Sequence, residues 1–443
     1  MIRPTGCRLV GLEASNFELV TPAGLRRKVE AGGVDVAYMR NRPPAIAFIF
    51  ITLFLDILGI GLVIPVLPKL VEQFRGGDVS EASTLVGQLS AVYALMQFVF
   101  SPILGALSDQ YGRRPVILLS LLGAGLDYFL MAWAPTVGWF FLGRAVSGLA
   151  GANITAATAY IADISPPEKR SANFGIIGAA FGLGFIAGPL LGGLLGEKSL
   201  RLPFIAAGVV TLANWLYGFF VLPESLGQDV RRKFSWARAN PLGSFLGLTR
   251  NPVVLGLAVA LFLMNLGQFG VHNTWVLYTG YRFDWKPSDV GISLAVVGIT
   301  AAIVQGGLSR VIIPAMGERR ALTCGFFLNG LTLVLYGLAT RGWMIYAILP
   351  FGAVSGIGAQ AGQGIVSRSV GPDEQGSVQG ALAGLNSVAA FVAPLVATNL
   401  FGYFIGPRAP MQLPGIPFFL GATLVLAGLV VAIVTLRRVK FPV

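Results

Sequence analysis

The sequence predicts an all-α polytopic membrane protein, with twelve transmembrane helices in two pseudo-symmetric six-helix bundles. Three observations carry this expectation. Charged residues make up only 12% of the 443 and apolar residues 55%, whereas a soluble domain carries about 25% charge; with a mean hydropathy of +0.73, such a surface needs lipid as its solvent. Apolar runs of the roughly 20 residues that a bilayer-crossing helix requires recur along the chain. Basic residues gather between those runs, at Arg113 and Arg114, Lys169 and Arg170, Arg231 to Lys233, Arg319 and Arg320, and Arg437 to Lys440. That spacing follows the positive-inside rule, so the formal net charge of +12 does not describe a nucleic-acid surface.

Residues 1–44 are mixed and polar and lack the continuous apolar stretch of a signal peptide, which predicts either a poorly ordered cytoplasmic extension or a start-site artefact. The spans are expected near Ala45–Leu67, Thr84–Leu107, Pro115–Ala134, Gly138–Ile164, Ser171–Gly196, Pro203–Leu222, Val253–Tyr281, Ser288–Ala315, Ala321–Thr340, Gly342–Ser367, Gly376–Phe404 and Pro414–Leu436. Runs this long satisfy their own backbone as helices and show no ten-residue alternation, which excludes barrel strands. An even count puts both termini on one side. The Lys/Arg clusters after even-numbered spans place that side in the cytoplasm. The longest connection, residues 223–252, carries Arg231, Arg232, Lys233 and Arg238 and divides a first bundle (45–222) from a second (253–443). The halves echo one another. Pro166-Pro167-Glu168 opens span five and Pro372-Asp373-Glu374 opens span eleven, each followed by an intramembrane proline, Pro189 and Pro394. The basic turn Gly105–Arg114 has a worn counterpart at Gly307–Arg320. Repeated halves suit a transporter that rocks two bundles about a central site.

Asp56 lies near the middle of span one. An acid there costs about 3 kcal/mol or more on insertion scales, so it should face a cavity or a partner, as a proton acceptor or as the counter-charge of a cationic substrate. Asp127 is a second intramembrane acid. Arg144 enters span four from the outer side, where a guanidinium either pairs with a carboxylate or reaches back to the surface. These three are the candidates for proton coupling. Gln97, Asn153, Gln268, Gln305, Asn329 and Gln360 recur inside the spans with His272. Singly each is an interhelical hydrogen bond worth about 1 kcal/mol; together with Trp275, Tyr278 and Tyr281 they point to a roomy amphipathic pocket for a substrate. Gly178, Gly182, Gly184, Gly188, Gly192, Gly193 and Gly196 stud span five around Pro189, a spacing that lets a neighbouring backbone approach closely. Two distant cysteines, Cys7 and Cys324, define neither a disulfide framework nor a zinc site. With one histidine and acids that stand singly on separate spans, no nucleophile–base pair or metal cluster is assembled, which argues against an enzyme and against a cofactor other than a coupling proton.

These residues resemble the major facilitator superfamily, and within it the tetracycline-resistance type of drug/proton antiporter. Gly105–Arg114 is similar to that superfamily's signature between spans two and three. Gly143-Arg144-Ala145-Val146-Ser147-Gly148 resembles its span-four motif, and Gly188-Pro189-Leu190-Leu191-Gly192-Gly193 its span-five antiporter motif. Further likeness lies in Gly59–Pro68, Tyr93–Gln97 and Trp275–Tyr278, so the resemblance covers nearly all of residues 45–404. It implies the major facilitator fold, a bacterial inner-membrane location and a monomer in lipid. It implies export of a small amphipathic compound or drug, tetracycline-like compounds included, by proton antiport through alternating access; a metabolite or sugar facilitator or proton symporter is the alternative. It also implies roles for matched positions. Asp109, Arg113 and Asp163 would form a cytoplasmic charge network on a loop shaped by Gly105 and Gly112, stabilising the outward-facing state. Asp56, Asp127 and Gln97 match positions concerned with drug or proton handling, and Gly184, Gly188, Pro189, Gly192 and Gly193 form the antiporter motif. Where the tetracycline pumps carry an aspartate in span nine, this chain has Asn329. An amide cannot cycle a proton, so coupling falls to Asp56 or Asp127.

Overall fold

The computed structural model describes residues 17–20, 26–29, 44–151, 153–236 and 251–437; the rest of the amino-terminal extension, residues 237–250 of the central connection and the last residues lie outside the described ones. The chain divides into a small unit, residues 1–47, and a large one, residues 48–443. In the small unit, expected to be poorly ordered, Phe17–Val20 pairs antiparallel with Arg26–Val29 in a register that sets Glu18 opposite Lys28.

The large unit is helical, with twelve helices long and apolar enough to cross a membrane among the described residues: Ala47–Phe74, Val79–Tyr111, Arg113–Ala132, Val137–Ile164, Asn173–Lys198, Leu202–Val221, Pro252–Phe283, Pro287–Met316, Glu318–Leu338, Gly342–Arg368, Glu374–Ile405 and Ile416–Arg437. They are spans one to twelve below. Two expected loops contract. Span two continues to Tyr111 and span three begins at Arg113, so the ten-residue basic turn shrinks to Gly112 alone. Gly112 takes φ +106° and ψ 159° and closes span two through its N–H to Ser108 O, 3.1 Å away; only glycine adopts this conformation readily. Gly317, at φ +77°, makes the equivalent reversal between spans eight and nine. Lys69 and Glu72, expected in the first outer loop, instead lie in the helix Leu67–Phe74 and pair at 3.1 Å. The break before that helix falls at Pro65, whose ring and missing N–H end the preceding helix. Span eight contains one π-helical turn, Val304–Leu308, around Gln305.

In the first half, span two packs on span four and span three on span six; in the second, span twelve packs on spans seven and nine. Two seams related by the internal repeat join the halves. Along spans five and eight, a Cβ on Gly193 would lie 3.0 Å from Ser288 Cα, Gly291 abuts the Pro189 carbonyl, and Ser288 donates to Glu197. Along spans eleven and two, Ser80 Oγ donates to Gly402 O at 2.8 Å, Thr84 Oγ1 to Asn399 Oδ1 at 3.1 Å, and Gly87 abuts Thr398 and the Pro394 carbonyl. The two echoing prolines therefore serve the same purpose: each presents its carbonyl to a glycine of the other half. Span one joins the first seam, because a Cβ on Gly61 would stand 2.9 Å from Gly188 Cα.

Both seams lie at the ends of the spans remote from Arg113 and Arg319. At the basic ends the halves separate. Cβ positions at Gly175, Gly178 and Gly182 of span five, Gly306 and Gly307 of span eight, and Gly376 of span eleven meet nothing within 4 Å. The large unit is closed at one face and open at the basic one.

Candidate functional site

Beneath the closed face lies a cavity of about 150 Å³ between the halves. Spans one, two, three and four contribute Asp56, Tyr93, Tyr128, Arg144 and Ser147, and span seven contributes His272 and Asn273. Asp56 is buried, 7% exposed, and sits nine residues into span one, about 14 Å along the helix at 1.5 Å per residue. The Arg144 guanidinium lies over the Tyr93 ring, 4.4 Å from its centroid, an arrangement that holds the cation against an aromatic face. Arg144 thus faces the interior instead of reaching to the outer surface. The cavity joins one carboxylate and one guanidinium of the first half to an imidazole of the second.

Asp127 is 3% exposed and stands behind this cavity rather than on its wall. Its Oδ2 accepts from Ser147 Oγ, while its Oδ1 has no hydrogen-bond partner. Ser147 lines the cavity and so connects it to Asp127. Room for that carboxylate comes from Gly143, where a Cβ would lie 3.0 Å from Asp127 Oδ1. The span-four motif therefore supplies a cation at Arg144, a connecting hydroxyl at Ser147, and at Gly143 the absence of a side chain. Gln97, one turn along from Tyr93, donates from Nε2 to Gly151 O at 3.4 Å and binds span two to span four.

The other candidates fall elsewhere. Gln268 is half-buried on span seven, one turn from His272, and does not line the cavity. Gln305 is exposed in the π-helical turn near the open face. Gln360 is half-buried on span ten and Asn329 is buried on span nine, whose partners are spans ten and twelve. Helix packing therefore turns Asn329 away from the central cavity. Asn153 lies on span four, with its side chain outside the described ones.

At the basic face the sequence motif closes into a network. Arg113 pairs with Asp109 at 2.6 Å and with Asp163 at 3.1 Å, and its Nη1 donates to Ser108 Oγ at 2.5 Å. Glu224, which sequence reasoning did not single out, completes it. Glu224 Oε1 accepts from the N–H groups of Arg113, Ser225 and Leu226 at 2.9, 3.0 and 3.1 Å, and Oε2 from Arg114 at 3.3 Å. A carboxylate at the first turn of span three meets the unpaired amides and positive end of that helix. The central connection continues along span two, with Arg232 N–H on Asp109 O at 3.1 Å and Phe234 N–H on Gln110 Oε1 at 3.2 Å. The network forms wholly within the first half and its connection, in a molecule open at this face. The antiporter-motif glycines Gly184, Gly188, Gly192 and Gly193 all sit where a neighbouring backbone or side chain leaves no room for a Cβ. Gly105, by contrast, meets only Thr155 Cγ2 at 3.4 Å.

Twelve spans in two repeated halves, closed over a central polar cavity at one face, define a secondary transporter of the alternating-access kind. A profile of the Major Facilitator Superfamily matches residues 49–394, and the chain belongs to that superfamily and, within it, to the tetracycline-resistance type of drug transporter. It is 42% identical over 357 residues to the class C tetracycline resistance protein of Escherichia coli, spanning 81% of this chain and 89% of that one. It is 37% identical over 404 residues to the class D protein of Salmonella ordonez, spanning 91% and 99%. Among solved structures it is similar to the human organic anion transporter MFSD10, with a TM-score of 0.64, 25% identity and coverage of 88% of this chain and 100% of that one. The chain is a multi-pass inner-membrane transporter of a small molecule, not an enzyme.

Proposed function

We propose that this protein exports a small amphipathic drug of the tetracycline type in exchange for protons, as a monomer in lipid with the basic face and both termini cytoplasmic. One observation carries the reading: a buried carboxylate and a guanidinium share a cavity at the interface of two halves that are sealed on one side and parted on the other. With the basic face cytoplasmic, this is the inward-open state, ready to load cargo from the cytoplasm. Substrate and proton compete for Asp56, with Asp127 as a second acid reached through Ser147. Arg144 keeps its positive charge in the cavity that Asp56 lines, and the state of the acids biases which face is open. The proton is the coupling ion. The tetracycline-resistance relatives favour export over a metabolite or sugar facilitator.

Everted vesicles test this directly. Added tetracycline should dissipate an imposed proton gradient, Asp56→Asn should abolish the response, and Asp127→Asn should weaken it. Export by Asp56→Asn at the wild-type rate with unchanged pH dependence refutes the role given to that residue.

A further inference from the structure

A second cavity, of about 260 Å³, lies within the second half among spans seven, ten and eleven. Four carboxamides line it: Asn265 from span seven, Gln363 from span ten, and Gln379 and Asn386 from span eleven. No charged side chain does. Among the described residues none of these four side chains has a hydrogen-bond partner. Amides that serve helix packing in this molecule behave otherwise. Asn251 Nδ2 donates to Ser369 O at 2.9 Å and Asn399 Oδ1 accepts from Thr84. Gln363, Gln379 and Asn386 are exposed and Asn265 half-buried, so the four amides converge from three spans with donors and acceptors open to a ligand in exchange for water.

Its place points the same way. Gln379 and Gln363 stand near the basic ends of their spans, on the side where the halves part. Asn265 lies seven residues before His272, hence on the same face of span seven and two turns, about 10 Å, nearer the open side. The two cavities are therefore stacked along span seven. The charged one lies deeper; the uncharged one lies on the way in.

We propose that this cavity is an entry subsite that takes the uncharged, hydroxyl- and carbonyl-bearing side of the exported compound, before its ionisable end meets Asp56 and Arg144. Each amide offers two donors and one acceptor, which match alternating hydroxyl and carbonyl groups, while Phe262, Leu382 and Leu385 provide an apolar wall for a ring system. This rests on the export reading and assigns the two ends of the cargo to different halves of the protein. Because its ligating groups do not titrate, binding here is independent of pH, in contrast to binding at Asp56.

The test uses the purified full chain and tetracycline as probe, with binding followed by tryptophan quenching between pH 5.5 and 8.5. Gln379→Leu and Asn386→Leu should each raise Kd by about tenfold, the effect of a lost pair of hydrogen bonds, with a pH profile parallel to wild type. Asp56→Asn should instead flatten that profile. Gln379→Ser and Asn386→Ser, which keep a polar group but shorten its reach, should show a smaller rise and serve if the leucine variants do not fold. Wild-type Kd in both positions, or no binding of tetracycline by the wild-type chain, overturns the subsite. A normal proton response in vesicles alongside that failure leaves export standing; loss of the proton response with amide-dependent binding intact removes antiport and keeps the subsite.

Discussion

Gly112→Ala should be among the most damaging small substitutions in the chain, and the structure says by how much and why. Two costs combine. At φ +106° and ψ 159° an alanine occupies a region that is essentially glycine-only, which costs roughly 1–3 kcal/mol. Its Cβ would also collide with the Glu224 carboxylate and stand 3.0 Å from Arg231 Nη2. Driving Glu224 away releases the N–H groups of Arg113 and Arg114. Bonds to a charged acceptor are worth about 1.5–3 kcal/mol each, and partial exposure of Glu224 places them at the low end, so this second cost is about 2–3 kcal/mol. Gly317→Ala supplies the control. It meets the same kind of backbone strain at φ +77° and ψ 148°, but its Cβ finds nothing within 4 Å, so it should cost only about 2 kcal/mol. Equilibrium unfolding in mixed micelles, followed by tryptophan fluorescence, measures both. In a Glu224→Ala background the cost of Gly112→Ala should fall to that of Gly317→Ala, since the collision is gone. Equal losses for the two glycines, or an undiminished Gly112 effect without Glu224, would show that the docked connection contributes nothing.

Arg113→Met should destabilise the first half by about 2–3 kcal/mol, because it leaves Asp109 and Asp163 facing each other without their cation. Arg113→Lys keeps the charge but not the fork geometry and should cost about 1 kcal/mol; thermal midpoints in detergent rank the two. Gly291→Val puts a branched side chain against the Pro189 carbonyl and the Gly193 backbone. It should part the closed face and shift the population toward the opposite orientation, by about tenfold for a clash of 1–2 kcal/mol. Labelling of single cysteines placed at Gly182 and Gly306 should slow accordingly, and unchanged labelling would mean that this seam does not govern access.

The number of spans, their approximate limits and the doubling of the halves were all legible, because twenty-residue apolar runs and clustered arginines are local signals. So was the recurrence of Pro189 and Pro394 as a pair, although not the glycine that each one's carbonyl meets. What the sequence hides is rotation. A span apolar on every side carries no stripe to say which way it faces, so Asp56 and Asn329 read alike as polar groups in apolar runs. One lines the cavity and the other is packed against spans ten and twelve. The same blindness applies to Asn265 and Gln379, which lie in the second cavity without any local pattern to set them apart. Glu224 was illegible for another reason. It caps a helix that begins 111 residues earlier, and nothing next to either partner announces the other. Gly143 was visible within a motif, but its purpose, leaving space for Asp127, belongs to a different span.

The seams and the charges obey different symmetries, and that difference bears on mechanism. Each seam sets glycines of one half against a proline-bearing span of the other, so the two hinges respond alike when the halves rock. The glycine series on span five does not stop at the closed end. Gly178 and Gly182 lie on the same helical face as Gly196 and Gly193, nearer the open face, and Gly306 and Gly307 present bare surface at the corresponding end of span eight. Rocking can therefore exchange one set of backbone contacts for another of the same chemistry, and two conformations joined by like contacts differ little in energy. Small-residue packing is worth little per contact, so a modest bias decides the balance. The titratable groups available to supply that bias are unevenly placed. Asp56, Asp127 and Arg144 all belong to the first half, and among the described residues the second lines the central cavity with His272, Asn273 and Val276. On the proposed antiport reading, a change of charge in one half, acting on two near-equivalent hinges, would turn proton occupancy into a choice of open face.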